Sequence, residues 1–298
     1  MSHTAHAQLL VTGASGFLGR TIVKRAKAHG LTSVGTTRAD IDQNDPAALA
    51  DLIDTINPNY AIDAAGILPG RGDLQDNVAL TRSWLEAIRR ALKPPRLVLI
   101  GSAAVYGTGS AQDRATREDD PMQPVSDYGR AKLDALQLGR HAFETDDLDV
   151  QTGIVFNLIG QGQPDNLAPQ VFIRNAVDNA GGEQTVGRVD TIRDFTDVED
   201  AADALIAMAQ RGQSGDVLNV ASGQPTRIRD LLDKLSGMLG TRWVSDAEQA
   251  RAGEIDVCYG DPSRLLARTG WSPKHNFDDA LIRAIEAARA ASTAKRRA

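Results

Sequence analysis

A short apolar strand that leads directly into three glycines, followed by an amphipathic helix, constrains the fold of this chain more than any other segment. Residues Gln8 to Thr12 predict a buried strand, and the next residues are Gly13-Ala14-Ser15-Gly16-Phe17-Leu18-Gly19. Apolar side chains then recur on one helical face, at Leu18, Ile22 and Ala26. A strand, a glycine loop and a helix in this order are typical of a parallel sheet that binds a ligand at its first turn.

Each of these glycines has a physical reason. Gly13 permits the tight turn, Gly16 lets the backbone approach a pyrophosphate, and Gly19 lets the helix pack closely on the strand. Free N–H groups and the dipole at the helix N-terminus favour bound phosphates. A lone glycine pattern is often a plain turn, but the flanking strand and helix favour a dinucleotide site. The predicted cofactor contacts here are Gly13, Ser15, Gly16, Phe17, Leu18 and Gly19.

The end of the second predicted strand, Thr32 to Thr37, bears on which dinucleotide is bound. An NAD site usually places an acid about 20 residues after the glycines, where it holds the ribose 2′-hydroxyl. Here Arg38 follows the strand, and no carboxylate comes before Asp40. A guanidinium suits a 2′-phosphate, so the segment favours NADP(H) over NAD(H), with Asp40 and Ile41 as further contacts. The alternative is a surface Arg38, with Asp40 or Asp42 on the ribose.

Strands and helices continue to alternate as far as Phe156. Further strands are predicted at 60–64, 96–101 and 150–156, and helices after Asp45, at 77–92 and around Tyr128. This alternation predicts an α/β fold with a doubly wound parallel Rossmann sheet. Ligands bind such sheets at the carboxyl ends of the strands. Further cofactor contacts are therefore expected at Ala64, Ala65, Gly66 and Val155, and a polar group at Ser102.

The pattern changes after Phe156, where loops surround a short helix from Val171 to Val177. Further helices begin near Asp197 and after Thr226. We expect a smaller C-terminal α/β substrate lobe made of residues 157–192 and 219–298. Residues 1–156 and about 193–218 would form the dinucleotide-binding Rossmann domain. The substrate site is expected between the two.

Tyr128 and Lys132 are the candidate chemical groups. Residues four apart on a helix share a face, so the Lys132 ammonium can lie beside the Tyr128 phenol. A neighbouring cation favours the phenolate form, which would make Tyr128 an effective general acid or base. Most isolated matches to this spacing are a half-exposed Tyr and a solvated Lys. The functional interpretation therefore depends on the dinucleotide site and on Ser102.

Composition argues against several other classes of protein. The formal net charge of −6 argues against nucleic acid as the main partner. The single cysteine, Cys258, argues against disulfides and a cysteine-rich metal site, and it favours a reducing, cytoplasmic setting. No apolar run approaches the length of a membrane span, and Met1 to Ala7 lacks the features of a signal peptide. We expect a cytoplasmic protein with no metal and no membrane partner.

Six motifs in combination resemble the extended short-chain dehydrogenases/reductases, the NAD-dependent epimerase/dehydratase family, which acts mainly on nucleotide sugars. They are Gly13-x-x-Gly16-x-x-Gly19, Ser102 to Gly107, Tyr128 to Lys132, Phe156-Asn157, Arg193 to Val198 and Gly270 to Pro273. The resemblance covers nearly the whole chain. From Phe156 to Gly223 it is most similar to the GDP-4-keto-6-deoxymannose reductase branch.

The resemblance implies roles for particular residues. Ser102 would hydrogen-bond the substrate carbonyl, Tyr128 would donate the proton, and Lys132 would hold the nicotinamide ribose and keep Tyr128 acidic. Asn157, Arg193 and Arg251 match family positions that often face the substrate or its diphosphate, and Ala103 and Ala104, next to Ser102, are further expected substrate contacts. The alternative for Asn157 is a loop cap, and for the two arginines it is a solvated surface charge.

Departures from the family pattern narrow the reaction. Sugar dehydratases carry an acidic pair where this chain has Ala103 and Ala104, and epimerase-reductases place a cysteine at Ala104. Neither alanine can transfer a proton, which leaves simple hydride transfer to or from a carbonyl. Ile154 replaces a usual arginine, and the loop from Ile67 to Asp76 is individual, so the exact substrate stays open.

The sequence therefore predicts an NADPH-dependent ketoreductase that acts on a nucleotide-linked 4-keto-6-deoxy sugar. An NAD-retaining nucleotide-sugar C4-epimerase and a ketoreductase of a natural-product aglycone are alternatives. A non-catalytic NADP-binding regulator is a third, which the intact Tyr128 and Lys132 disfavour. The family also implies a homodimer formed through the helices Asn77–Leu92 and Ser126–Phe143.

Overall fold

The computed structural model describes residues 8–246 and 255–297. Strands and helices alternate through the first half of the chain, as predicted. In chain order they are β1 (Gln8–Thr12), α1 (Phe17–Ala26), β2 (Thr32–Thr36), α2 (Pro46–Ile56), β3 (Tyr60–Asp63), α3 (Asp76–Arg90), β4 (Arg96–Ser102), α4 (Asp127–Asp146) and β5 (Val150–Val155).

The second half contains shorter strands and more loops. Its first elements are β6 (Asn157–Ile159), α5 (Gln170–Asp178), β7 (Glu183–Val186), β8 (Ile192–Asp197), α6 (Val198–Arg211) and β9 (Val217–Val220). They are followed by β10 (Pro225–Arg227), α7 (Ile228–Leu239), β11 (Arg242–Ser245), β12 (Val257–Cys258), α8 (Ser263–Thr269) and α9 (Phe277–Arg297). None of the helices within residues 8–246 and 255–297 is long and apolar enough to cross a bilayer.

The large sheet has six strands in the order β2-β1-β3-β4-β5-β9. Every neighbouring pair in it is parallel. Its strands are apolar on both faces because helices cover both. Leu9 and Val11 of β1 pack in a cluster with α1 and α6, whereas Leu10 between them packs with α2 and α3. This is the doubly wound α/β sheet that the alternating pattern predicts.

The smaller lobe is built on a second sheet, in which β8 lies between β10 and β12 and also pairs with β6. Its apolar core joins α5, α7 and α9 around Phe195 of β8. The predicted boundaries assign residues 193–218 to the Rossmann domain and residues 219–298 to the lobe. In the structure β8 lies entirely in the small sheet, and the whole of β9, which the boundary at residue 218 would divide, lies in the large sheet. The chain therefore leaves the large sheet after β5 and returns to it through α6 and β9.

Helix α6 is joined to α1 by a buried carboxylate. The side chain of Asp203 on α6 is 2% exposed and accepts hydrogen bonds from Arg25 Nε at 2.8 Å and Nη2 at 2.6 Å. His29 Nε2 lies 2.8 Å from Asp203 Oδ1, the same oxygen that accepts from Arg25 Nε. Burial alone raises the pKa of Asp203, but the hydrogen bonds from Arg25 and His29 outweigh it, so the pKa lies below its ordinary value.

Replacing Asp203 by Asn should lower the free energy of unfolding at pH 7 by about 2–3 kcal/mol, the scale of lost hydrogen bonds to a charged group. Because the folded-state pKa is depressed, the stability that Asp203 contributes is present above its unfolded pKa and is lost as the pH falls through the folded value. Thermal unfolding measured between pH 7 and pH 3 should therefore show that the melting temperature falls less with acid in the variant than in the wild type. Asp146→Asn, which removes an exposed partner of Arg89, is the control and should leave the melting temperature unchanged.

Candidate active site

The glycine loop between β1 and α1 is shaped by close backbone contacts. Gly13 adopts a φ of +65°, and a Cβ built on it would lie 2.6 Å from the carbonyl carbon and oxygen of Ala64. A Cβ on Gly19 would lie only 2.2 Å from the carbonyl oxygen of Gly13. The loop that follows β1, the residues after β3 and the first turn of α1 therefore meet at one place, which only glycine at positions 13 and 19 allows.

The first turn of α1 is open to an anion. Gly16 is the residue that precedes the helix, and it makes no side-chain cap. Its own N–H donates to Gly13 O at 2.9 Å, and a Cβ built on it would approach no atom but that oxygen within 4 Å. The N–H groups at the helix start thus face an open cradle beside exposed Ser15 and half-buried Phe17 and Leu18. This geometry fits a dinucleotide pyrophosphate.

The end of β2 presents a free guanidinium. The Asp40 carboxylate accepts hydrogen bonds from Thr37 Oγ1 at 2.7 Å and from Thr37 N at 2.8 Å, which lower its pKa. Asp40 is thus held within its own turn, and Ile41 packs against the α2–α3 core. Arg38 is exposed, and its guanidinium makes no hydrogen bond or ion pair with the part of the chain that the structure describes. Arg38 can therefore receive a phosphate without first breaking an internal contact.

The end of β4 and the start of α4 lie against each other. Ser102 Oγ accepts a hydrogen bond from Ala104 N at 3.2 Å and so begins the tight turn Ala103–Val105. Ser126 caps α4 by accepting from Gly129 N at 3.1 Å. A Cβ on Gly129 would lie 2.6 Å from Ala104 O. Glycine at position 129 therefore lets the helix turn that carries Tyr128 touch the turn that follows Ser102.

Replacing Gly129 by Ala should push the first turn of α4 away from Ala104 by close to 1 Å. A displacement of this size at a catalytic centre costs up to about 100-fold in rate, so we expect kcat to fall about 10- to 100-fold. Gly139→Ala on the same helix is the control. The only atom within 3.4 Å of its Cβ would be the end of the flexible Leu99 side chain, at 2.9 Å, which can move aside. Steady-state kinetics with thermal melts should show lost turnover for Gly129→Ala and lost stability alone for Gly139→Ala.

Lys132 lies between the ends of β3 and β4. It is 8% exposed, and its Nζ donates a hydrogen bond to Ile100 O at 3.0 Å. A Cβ built on Gly66 would lie 3.6 Å from the same nitrogen. The ammonium is therefore fixed at the carboxyl edge of the large sheet, where the substrate site (called the cleft below) is expected, one helical turn from half-buried Tyr128. A buried amine with two further donor positions can hold both a ribose hydroxyl and a phenol oxygen.

Asn77 holds the loop beside Lys132, a role that the sequence pattern does not reveal. The residue is 3% exposed; its Oδ1 accepts from Ile67 N at 3.1 Å, and its Nδ2 donates to Ile67 O and Leu74 O, both at 3.0 Å. A Cβ on Gly66 would lie 3.2 Å from Asn77 Oδ1. One amide thus closes both ends of the loop after β3 and fixes the wall next to the Lys132 ammonium.

Asp63, the last residue of β3, is a second buried group that the sequence reasoning missed. Its carboxylate accepts from Thr12 Oγ1 at 2.7 Å and from Ala65 N at 3.2 Å. Burial raises the pKa of Asp63, and the hydrogen bond from Thr12 opposes that shift. The residue joins β1 to β3 directly beneath Ala64, Ala65 and Gly66. Its signal in the sequence is an acid at the end of an apolar strand, just before small residues.

On the substrate side, the candidate residues come from the small sheet. Asn157 Nδ2 donates to Asp194 O at 3.2 Å, and Arg193 Nη1 donates to Ile192 O at 2.8 Å. Asp194 is fully buried and accepts from Ser222 N at 2.9 Å, which ties β8 to the loop that follows β9. The predicted substrate contact Arg251 lies outside the described residues. Of the other predicted contacts, Val155 ends β5, and Ala103 and Ala104 lie in the turn after Ser102.

Residues 9–221, more than half of the chain, match the NAD dependent epimerase/dehydratase family. The chain belongs to this family. The dTDP-6-deoxy-L-talose 4-dehydrogenase (NAD(P)(+)) of Kitasatospora kifunensis is 29% identical, with 94% of this chain and 95% of that protein covered. The GDP-6-deoxy-D-mannose reductase of Pseudomonas aeruginosa is 30% identical over 92% of this chain and 94% of its own length.

Structural comparison agrees with this membership. The structure of RMD from Pseudomonas aeruginosa complexed with NADPH has a TM-score of 0.83 and 28% identity, and it covers 96% of this chain and 99% of that one. More distant relatives include the UDP-glucose 4-epimerase of Azospirillum brasilense, which is 24% identical and covers 94% of this chain and 91% of its own. The chain is an extended short-chain dehydrogenase/reductase, an NAD(P)-dependent enzyme of a family that modifies nucleotide sugars.

Proposed function

We propose that this enzyme is an NADPH-dependent ketoreductase that acts on a nucleotide-linked 4-keto-6-deoxy sugar. One observation carries the proposal. The turn after Ser102 consists of Ala103 and Ala104 where it touches α4, so that turn supplies no acid or thiol to the cleft. A dehydratase or a C3/C5 epimerase needs a second proton-transferring group, and this turn offers none. Carbonyl reduction needs a single proton donor, and Tyr128 supplies it.

Each residue of the cleft has its own role in carbonyl reduction. NADPH, when bound, supplies the hydride. Ser102 at the end of β4 donates a hydrogen bond to the substrate carbonyl oxygen and fixes its position. Tyr128 donates a proton to that oxygen as negative charge develops on it. Lys132, anchored at Ile100 O, stabilises the phenolate that remains and holds the nicotinamide ribose.

The cradle around Gly13, Gly16 and Gly19 would hold the pyrophosphate, and Arg38 would hold the 2′-phosphate of NADPH. The free guanidinium of Arg38 supports NADP(H) over NAD(H), since no carboxylate lies before Asp40 and Asp40 is engaged by Thr37. The nucleotide sugar would lie between the large sheet and the smaller lobe, near Asn157 and Arg193. The relatives that act on GDP- and dTDP-linked 6-deoxy sugars support this substrate class.

The test is turnover of a defined keto-sugar. Purified protein with GDP-4-keto-6-deoxymannose or dTDP-4-keto-6-deoxyglucose should consume NADPH, measured at 340 nm, and should form a 6-deoxy sugar nucleotide. Arg38→Ala should raise the KM for NADPH about 10- to 100-fold and change the KM for NADH little, since only NADPH carries the 2′-phosphate. Asp42→Ala is the matched control and should leave both values unchanged. An equal rise in KM for NADPH and for NADH would mean that Arg38 does not bind the 2′-phosphate.

A nucleotide-sugar C4-epimerase is the second candidate, because UDP-glucose 4-epimerases are among the relatives. An epimerase keeps its own cofactor and returns the hydride to the sugar. Incubation with UDP-glucose and no added cofactor separates the two activities. Formation of UDP-galactose with no consumption of NADPH on any keto-sugar would replace the reductase proposal by this one.

The dimer that the family implies would use the outer faces of α3 and α4. Those faces are charged or polar, and their exposed side chains include Arg82, Arg89, Arg130, Asp134, Arg140 and Glu144. An interface of this composition depends on ion pairs rather than on apolar burial. We propose that any dimer formed here is weak and dissociates between 0.05 and about 0.5 M salt, which light scattering after gel filtration would detect.

A further inference from the structure

We propose that Arg20 is a positioning residue that transmits cofactor binding to the substrate side of the cleft. It does so by holding the segment Gly160–Gln163, called the 160–163 loop below, against the first turn of α1. This inference rests on the proposed use of the glycine loop by a dinucleotide. It adds a physical link between that loop and the strand that carries Asn157.

The guanidinium of Arg20 holds two consecutive carbonyl groups of the 160–163 loop. Nη2 donates to Gly162 O at 2.6 Å and to Gln161 O at 3.2 Å. Gly162 has a φ of +82°, and a Cβ built on it would lie 1.7 Å from the same Nη2. The guanidinium therefore rests directly on the Gly162 backbone. Hydrogen bonds from a charged donor to backbone carbonyls are among the stronger ones in proteins.

Phe17 completes the contact between the two segments. Its ring centroid lies 5.8 Å from Arg20 Cζ, within the range of a cation–π interaction. A Cβ on Gly160 would lie 3.8 Å from Phe17 Cζ and 2.5 Å from Val198 Cγ1. The beginning of the 160–163 loop thus packs on the first residue of α1 and on the first residue of α6.

The 160–163 loop is in turn connected to β6. Gln163 is 5% exposed, and its Nε2 donates to Leu158 O at 2.8 Å and to Ala168 O at 3.0 Å. Leu158 is the residue after Asn157, so a displacement of the loop moves the strand that carries this substrate candidate. The contacts run without interruption from α1 through Arg20, the loop and Gln163 to β6.

Cofactor binding should reduce the mobility of the first turn of α1, where this series of contacts begins. Phosphates accept hydrogen bonds from the first N–H groups of α1, which belong to the helix turn that carries Phe17 and Arg20. Ordering that turn fixes the base of the Arg20 side chain and reduces the freedom of the carbonyls that it holds. A ligand that binds afterwards on β6 then loses less conformational entropy, so the two sites are positively coupled.

The test is amide hydrogen exchange of residues 157–169, measured by mass spectrometry with and without saturating NADPH. In the wild type we expect exchange of this segment to slow about fivefold when NADPH is added, and in Arg20→Gln we expect no slowing. Arg25→Gln is the matched control, since Arg25 lies on the same helix but contacts Asp203 on α6. It should lose stability and keep the fivefold slowing. Arg20→Lys, which can hold one carbonyl, should give an intermediate result.

A second measurement uses binding. GDP and dTDP are titrated separately into each protein with and without NADPH, and the ratio of the two Kd values gives the coupling factor. A ratio that stays at the wild-type value in Arg20→Gln would overturn the inference, as would undiminished slowing of exchange in that variant. A wild type that binds NADPH without any slowing in residues 157–169 would overturn it as well. A wild type whose melting temperature NADPH does not raise would instead contradict the proposed function.

Discussion

Tyr128→Phe is expected to lower kcat for the keto-sugar about 1,000-fold and to leave the KM for NADPH within about twofold. The phenol is the proposed proton donor, and phenylalanine keeps the shape of the ring while removing the proton. The helix turn that carries Tyr128 is fixed by the hydrogen bond from Gly129 N to Ser126 Oγ and by the close approach of Gly129 to Ala104 O, and the substitution touches neither contact. The loss should therefore appear in the chemical step and not in the fold.

Tyr106→Phe is the matched control, because it removes a phenol that has a structural role. Tyr106 is fully buried, and its hydroxyl donates to Asn219 Oδ1 at 2.7 Å. Burial raises the pKa of this phenol far above its ordinary value, so it stays protonated. We expect Tyr106→Phe to lower the free energy of unfolding by about 1 kcal/mol and to leave kcat unchanged. Single-turnover rates with NADPH for the two variants measure the difference, and a Tyr128→Phe enzyme within tenfold of the wild type would exclude Tyr128 as the proton donor.

Gly19→Ala is expected to have the second large effect, on stability and on cofactor binding together. The new Cβ would lie 2.2 Å from Gly13 O, so α1 must move away from the glycine loop by about 1 Å. Overpacking of this kind costs about 1–3 kcal/mol, and alanine regains less than about 1 kcal/mol through its better helix propensity. The same movement separates the N–H groups of α1 from the loop that would hold the pyrophosphate. We expect NADPH affinity to fall about 100-fold.

Gly237→Ala on α7 provides the matched control for this substitution. It also replaces a helical glycine, but a Cβ there would meet no atom within 4 Å. The gain in helix propensity should therefore raise stability by up to about 1 kcal/mol, with no change in NADPH binding. Denaturant unfolding and fluorescence titration with NADPH measure both quantities. Equal behaviour of the two alanine variants would mean that the contact between Gly19 and Gly13 is not tight in solution.

The large sheet could be predicted from the sequence because its signals are local. Each strand is a short apolar run, and each following helix shows its own periodicity. The second strand, predicted at Thr32 to Thr37, is found at Thr32–Thr36. Gly13, predicted to permit a tight turn, has a positive φ, and Gly19, predicted to allow close packing of the helix, lies against the backbone of Gly13. The positions of the predicted cofactor residues at the carboxyl ends of β1, β2, β3 and β5 follow from the parallel topology alone.

The contacts that complete the site could not be predicted in this way. Their partners are either distant in sequence or are backbone groups whose positions depend on the fold. Asn77 closes a loop through carbonyls of Ile67 and Leu74, and carbonyl groups carry no sequence signal. Arg20 contacts Gly162, 142 positions further along the chain. The strand β8 was not predicted either, because an acid such as Asp194 is not expected inside a buried strand. In the folded chain the N–H groups of Ser222 and Gly223 donate to this carboxylate.

The return of the chain to the large sheet has a consequence for how the protein is made. The last strand of the sheet, β9, and the helix α6 that covers Leu9 and Val11 are synthesised only after the whole excursion through β6, β7 and β8. Until α6 and β9 leave the ribosome, only α1 covers that face of the nascent sheet and the edge of β5 stays unpaired, a combination that favours aggregation. Translation that stalls between residues 156 and 198 should therefore yield chains that need chaperone protection, and a gene cut at that point should yield an insoluble product.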